Sequence, residues 1–331
     1  MSWPKLSERR LRPRSTIVAA VVIAVALGLV IGLAIVRRNE DENGGVAAKT
    51  GWTFASRMPH RRSYTASAQL GGKIYVAAGM VGNTGRPLDL FERFDPSRNR
   101  WSSLTPLPQA FSAGAAASLD RRIWVVGGNS STANGRQVYA YDVRTARWSP
   151  EPALPAPRTN LAVVALGGKL YALGGLDPVD PTSTVFVYDP RSRRWSDAAP
   201  LPKALHALAA VVFRGEIWAL GGRVRSGQIQ RDVWIYNPQR NRWRAGPTLP
   251  TPMETLGTSA SGDRIDAVLE HTFVTYDART SRWQRGPSLE IPRHALAVYT
   301  IGDTLYAMGG CVVPQLEDSS VVEKLALSSR N

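Results

Sequence analysis

The sequence is poor in the residues that enzymes and metal proteins are most often built around. It has one cysteine, Cys311, which excludes an intrachain disulfide and any multi-cysteine zinc site. Four histidines, His60, His206, His271 and His294, leave little for metal ligation. Gly-x-Ser-x-Gly, His-Glu-x-x-His, a phosphate-binding Gly-rich loop and paired-cysteine spacings are all missing, so no cofactor and no metal is expected. Acidic residues are scarce as well: 26 stand against 41 Lys and Arg, a formal net charge of +15. Residues 51–331 hold 33 basic and 22 acidic residues, a net +11, so the excess is not confined to the N-terminus. No nucleic-acid-binding motif accompanies that charge.

Near the N-terminus the opposite holds, and charge itself is missing. Thr16 to Val36 is an uncharged apolar run of 21 residues. At about 1.5 Å per residue, a helix of that length crosses a bilayer core of about 30 Å. Lys5, Arg9, Arg10, Arg12 and Arg14 precede it, whereas Arg37 and Arg38 are offset by Glu40, Asp41 and Glu42. The positive-inside rule therefore places residues 1–15 in the cytoplasm as a basic tail and 16–36 as a single-pass signal anchor in the plasma membrane. No small-x-small cleavage pattern precedes Arg37; a cleaved signal peptide is the rival reading. Ala20, Ala24, Gly28 and Gly32 fall on one face, as in small-xxx-small helix pairs, which points to a homodimer through this helix. Residues 37–51, rich in charge and glycine, read as a stalk.

From residue 52 onward the chain repeats. Tryptophans at 52, 101, 148, 195, 243 and 283 mark the period. After each comes a turn, at Gly71-Gly72, Asp120-Arg121, Gly167-Gly168, Arg214-Gly215, Gly262-Asp263 and Gly302-Asp303. The strand after the turn ends on Ala78-Gly79, Gly127-Gly128, Gly174-Gly175, Gly221-Gly222 or Gly309-Gly310. An aromatic residue followed by Asp or Asn, at Phe94, Tyr141, Tyr188, Tyr236 and Tyr276, stands shortly before the next Trp. Four short strands per period of roughly 40–50 residues signal a propeller, whose blades bury little alone and must stack. The Gly-Gly, Tyr-Asp and Trp pattern resembles kelch repeats from Trp52 to the C-terminus. The resemblance implies an all-β, six-bladed kelch-type β-propeller over 52–331. The last repeat ends without a Trp, so Trp52–Ser56 is expected to supply its outermost strand and close the ring. The fifth blade is the weakest copy, with Leu269-Glu270 in place of a glycine pair and no loop into its third strand.

In a propeller, the link from one blade's outer strand (d) to the next blade's inner strand (a) shares a face with the b–c loops. Register places Arg62, Ser63, Phe111, Ser112, Arg158, Thr159, Leu205, His206, Met253, Glu254, Arg293 and His294 around the channel mouth on that face. Guanidinium forks suit carboxylates, so this set reads either as an anion-binding mouth or as structural Pro-Arg turns. The other face carries Arg100, Arg147, Arg194, Arg242 and Arg282, one before each Trp, and is expected to look toward an anionic membrane surface.

Two enzymatic resemblances bear on function. Copper radical oxidases of the galactose oxidase type need two His, Tyr residues and a cross-linked Cys, and only His206 and His294 lie near the axis here. The periplasmic six-bladed kelch mutarotases that act on sialic acid imply an acid–base group, Glu254 or His294, with Arg62, Arg158 and Arg293 for an acidic sugar. Against both stands a non-catalytic platform. It would present the b–c loops Val81–Leu90, Asn129–Arg136, Leu176–Ser183, Arg223–Arg231 and Cys311–Ser319 to a protein, peptide or glycan. The expected topology has a direct test. A C-terminal fusion to a phosphatase that folds only outside the cytoplasm should be active, and a stable but inactive fusion would reverse the orientation.

Overall fold

The computed structural model describes residues 51–82, 85–130, 134–313 and 317–327. The expected tail, membrane helix, small-residue stripe and stalk up to residue 50 lie outside the described residues. Among the described residues no helix is long and apolar enough to cross a membrane.

The described residues form an all-β propeller. Apolar pentapeptides rich in Val, Ile, Leu, Tyr and Trp, punctuated by Gly-Gly or Asp-Arg, make antiparallel hairpins because the turn residues accept a left-handed backbone. The third blade shows the pattern: strands Ala162–Leu166, Lys169–Leu173, Val185–Asp189 and Arg194–Ala198 pair in chain order. Six such four-stranded sheets are counted among the described residues, starting at Ala66, Ala115, Ala162, Ala209, Gly257 and Ala297. The first strands of consecutive sheets lie against one another, which puts them innermost. In the sixth sheet Thr53–Phe54 pairs with Val322–Ala326, with Thr53 opposite Lys324 and Phe54 opposite Glu323. The sixth and first sheets share a core of Met58, Ile74, Phe94, Trp101, Tyr306 and Met308.

Each of the six tryptophans that mark the period performs the same task. Trp101 Nε1 donates to Ser56 O, Trp148 to Thr105 O, Trp195 to Pro152 O, Trp243 to Ala199 O and Trp283 to Pro247 O, all at 2.8–2.9 Å. Trp52 donates to Pro287 O at 2.8 Å. Every acceptor is the carbonyl four residues past the Trp of the preceding sheet. The indole thus ties one sheet's outer strand to its neighbour's, while the ring lies against Phe94, Tyr141, Tyr188, Tyr236 or Tyr276 at centroid separations of 5.0–5.4 Å.

The glycine pairs act at the inner end. The second residue of each pair donates its N–H to the next sheet: Gly79 to Phe111 O, Gly128 to Arg158 O, Gly175 to Leu205 O, Gly222 to Met253 O and Gly310 to Arg62 O. Gly175 sits at φ +94, and a Cβ there would lie 2.7 Å from Thr159 O. In the fifth sheet Glu270 occupies this place at φ +51 and still donates to Arg293 O at 2.9 Å. Because Arg264–Leu269 and Thr272–Asp277 are joined by Glu270-His271 alone, that sheet raises no b–c loop above the mouth.

Two alanine substitutions separate backbone strain from steric clash. Gly168, at φ +75 with open space around it, should lose about 1 kcal/mol on becoming Ala from the left-handed backbone alone. Gly175→Ala adds the clash with Thr159 O and should cost about 3 kcal/mol. Urea unfolding of the two variants reads the difference, and equal midpoints would contradict the close-approach role.

Candidate functional site

At the inner end of each sheet the residue following the expected mouth position is held left-handed. Tyr64, Ala113, Asn160, Ala207, Thr255 and Ala295 have φ of 49–54°. Ala113 N donates to Tyr64 O, Asn160 N to Ala113 O, Ala207 N to Asn160 O, Thr255 N to Ala207 O and Ala295 N to Thr255 O, at 2.8–3.0 Å. These bonds run from sheet to sheet as a collar about the axis. Five members are Ala, Asn or Thr; Tyr64 is the one large side chain. Its ring meets His294 edge-on at 6.2 Å. Its phenol feels Cys311, Glu254, Arg223 and Asp318, which belong to the fourth, fifth and sixth sheets. A first-sheet residue reaches groups on the opposite side only by lying near the axis. Burial, then Cys311 and Glu254, raise the Tyr64 phenol above its ordinary range, so it stays a neutral donor.

The polar groups beside it are Arg223, Glu254, His206 and Glu270. Arg223 grips Glu254 bidentately, through Nε to Oε2 at 2.6 Å and Nη2 to Oε1. Both side chains are largely buried yet open at the mouth, 14% and 12% exposed. Arg223 and His206 exchange backbone hydrogen bonds, and burial followed by Arg223 lowers the His206 imidazole to about 4. Burial raises the Glu270 carboxyl, with Glu254 adding to the rise and His271 opposing it. Burial lowers His294, against the pull of Asp318. Burial and then Asp318 push the Cys311 thiol up to about 12, which makes it a poor nucleophile.

The expected mouth set divides sharply. His206 and Glu254 are half-buried. Ser63 and Ser112 are buried against Met80 and Asn129, and Thr159 is half-buried against Leu176. His294 is buried beneath Tyr64. Arg62, Arg158, Arg293, Phe111, Leu205 and Met253 are buried; the three arginines pair within their own blades, and Phe111, Leu205 and Met253 pack into cores shared with the preceding sheet. Arg62 pairs with Glu92 at 2.8 Å, and Arg293 pairs with Glu323 at 3.0 Å while donating to Val321 O and Gly309 O. Arg158 pairs with Asp177 at 2.8 Å and stacks over Phe186 at 4.9 Å. Successive residues of an extended chain face opposite sides, so the position next to the mouth is a core position. The acidic-sugar site implied by the mutarotase resemblance, with three arginines around Glu254 or His294, is therefore not assembled.

The expectation missed Tyr64, Arg223 and Glu270. A signal for Arg223 was present: it follows Gly221-Gly222, at the place held by Met80, Asn129, Leu176 and Cys311 in other repeats. The buried fate of Arg62 and Arg293 also had one, since Glu92 and Glu323 occupy the second place of the third strand in those two blades alone.

Residues 63–266 match the family model of the KLHDC2/KLHL20/DRC7 Kelch-repeats domain. The chain belongs to the kelch-repeat family. Kelch-like protein 35 of Mus musculus is 33% identical over 91 residues, which is 28% of this chain and 15% of that protein. Kelch-like protein 36 of Rattus norvegicus is 33% identical over 101 residues, 28% of this chain and 16% of that protein. The kelch match thus spans only a small part of those relatives' length. The structure of YjhT superposes with a TM-score of 0.73 over 84% of this chain and 99% of that one, at 14% identity, which is a likeness of fold.

The two lowered imidazoles set a pH dependence. Folding takes His206 from 6.5 to about 4, so between those values the unfolded chain binds more protons than the folded one. Its contribution is intact above pH 6.5 and is lost as pH falls through the window. The full shift corresponds to about 3 kcal/mol, and partial exposure reduces this to roughly 1–2 kcal/mol. Wild-type stability minus that of His206→Asn should therefore drop by this amount from pH 7 to pH 4 in urea titrations. A pH-independent difference would remove His206 from the buried mouth.

Proposed function

We propose that this kelch protein is a binding platform, held at a membrane by residues 16–36, that presents its mouth face to a protein or peptide ligand. In this reading the six sheets are the whole ring, latched by Thr53–Phe54, and the mouth looks away from the cytoplasm. The observation that carries it is the placement of exposed apolar side chains. Phe54, Val179 and Ile229 are the exposed large hydrophobics among the described residues. Two of them, Val179 and Ile229, stand on the neighbouring b–c loops of the third and fourth blades. Arg225 and Asp180 join those loops at 3.3 Å. Ile229 bridges to Arg223, the partner of Glu254, within the same loop. Apolar contacts beside a small set of oriented polar groups are how specific interfaces are composed. Loops of differing length on a rigid ring supply the variation.

A photoreactive phenylalanine analogue placed at Val179 or at Ile229 should form one discrete adduct in intact cells. The same analogue at Ser192, an exposed position on the opposite face, should form none. Adducts at Ser192 alone would overturn the assignment of the mouth face.

A further inference from the structure

The five turns between third and fourth strands, residues 95–100, 142–147, 189–194, 237–242 and 277–282, carry eleven arginines and four aspartates. Their net +7 is most of the +11 of residues 51–331, on one end of the propeller. The aspartates are spent on structure. Asp95 binds Lys73 and Ser97, and Asp142, Asp189 and Asp277 accept backbone N–H groups of their own turns. Among the arginines, Arg193 pairs with Glu151 at 3.0 Å, and Arg98 and Arg279 lie 3.9 and 3.7 Å from Asp95 and Asp277, yet their side chains stay 59%, 80% and 56% exposed. Arg100, Arg147, Arg194, Arg242 and Arg282 are exposed at the start of the fourth strands, and Arg98 has 80% of its side chain exposed. In the sixth sheet the equivalent place is Gly51, directly before Trp52, so the sequence interrupts the basic arc where the chain from residues 1–50 joins this face. Fourteen residues separate Gly51 from the end of the uncharged run at Val36. Extended, they reach at most about 50 Å.

We infer that the arginine arc docks on anionic lipid headgroups, holding the propeller against the membrane with its mouth outward. The inference rests on the membrane-tether reading and goes beyond it, because a tether alone leaves a propeller free to tumble. Exposed arginines near an anionic surface contribute about 1 kcal/mol each and act within a Debye length of about 8–10 Å. The tether raises the effective concentration of headgroups, so weak contacts suffice. A nucleic acid would need the same charge, but a chain tethered outside the cytoplasm does not meet it.

The test uses the full chain in lipid nanodiscs of phosphatidylcholine alone or with one-third phosphatidylglycerol, digested briefly with trypsin and read by mass spectrometry. Cleavage after Arg98, Arg144, Arg191, Arg240 and Arg279 should slow roughly tenfold in the anionic discs at low salt and recover at 0.5 M salt. Cleavage after Arg225, on the mouth face with its side chain 79% exposed, is the internal control and should not change. Replacing Arg100, Arg147, Arg194, Arg242 and Arg282 by Gln should abolish the protection while leaving Arg225 cleavage and the melting curve as in wild type; if the fivefold variant melts early, the Arg147, Arg194 and Arg242 triple replaces it. Equal cleavage in both lipids overturns the inference, as does protection that survives high salt. Protection by soluble duplex DNA equal to that by phosphatidylglycerol makes the arc a general polyanion surface and overturns the lipid assignment. A chain that fails to enter discs sinks the tether instead, and the same digest with added phosphatidylglycerol vesicles then decides the arc by itself.

Discussion

Six indole-to-carbonyl hydrogen bonds, from Trp52, Trp101, Trp148, Trp195, Trp243 and Trp283, hold each sheet to the one before it. A four-stranded sheet of this size has two apolar faces and cannot stand alone in water. Each is stable only while both faces are covered, and the angle between neighbours has to be the same at every interface for the sheets to return on themselves. An indole is large enough to fill the widening gap at the rim and has one donor, so it sets distance and direction together. The bond from Trp52 to Pro287 O brings residues 235 apart in sequence into the same arrangement that adjacent repeats adopt.

At the inner end the requirement is the reverse, since too little room is left. The glycine pairs let one sheet's backbone meet the next where a Cβ would strike a carbonyl, and the collar residues accept a left-handed backbone to pass a hydrogen bond onward. Alanine and threonine in that conformation carry a cost of about 1–2 kcal/mol each. The inter-sheet bonds offset it. Tyr64 is the one large side chain on the collar, and its ring lies edge-on to His294. The fifth blade lowers one side of the mouth by having no loop there.

The two ends of the ring thus differ in chemistry for structural reasons. In four of the five c–d turns an aspartate or asparagine side chain accepts a turn amide, and the exposed positions beside it are free to be arginine. The long b–c connections have no such duty and carry the exposed apolar residues Val179 and Ile229 and Arg223, which pairs with Glu254 of the link into the fifth blade. One end is uniform and charged; the other is irregular and mixed, as recognition requires.

The repeat, the strand order within each blade and the roles of Trp, Gly-Gly and Tyr-Asp are legible from the residues alone, because these are local patterns imposed at a fixed spacing. So is the place of Thr53–Phe54 in the last sheet, since the final repeat is one strand short. The fate of Arg62 and Arg293 emerges only once the strands pair. Whether Arg62 or Arg293 meets a ligand depends on Glu92 or Glu323 some thirty residues later, and on a single step of strand alternation that carries the side chain from the channel into the core. Tyr64 is one position from Ser63 in the chain, and only the assembled collar brings it to the axis. Local pattern builds the ring; which side chains remain available in it is set by pairing between strands that the chain order does not place together.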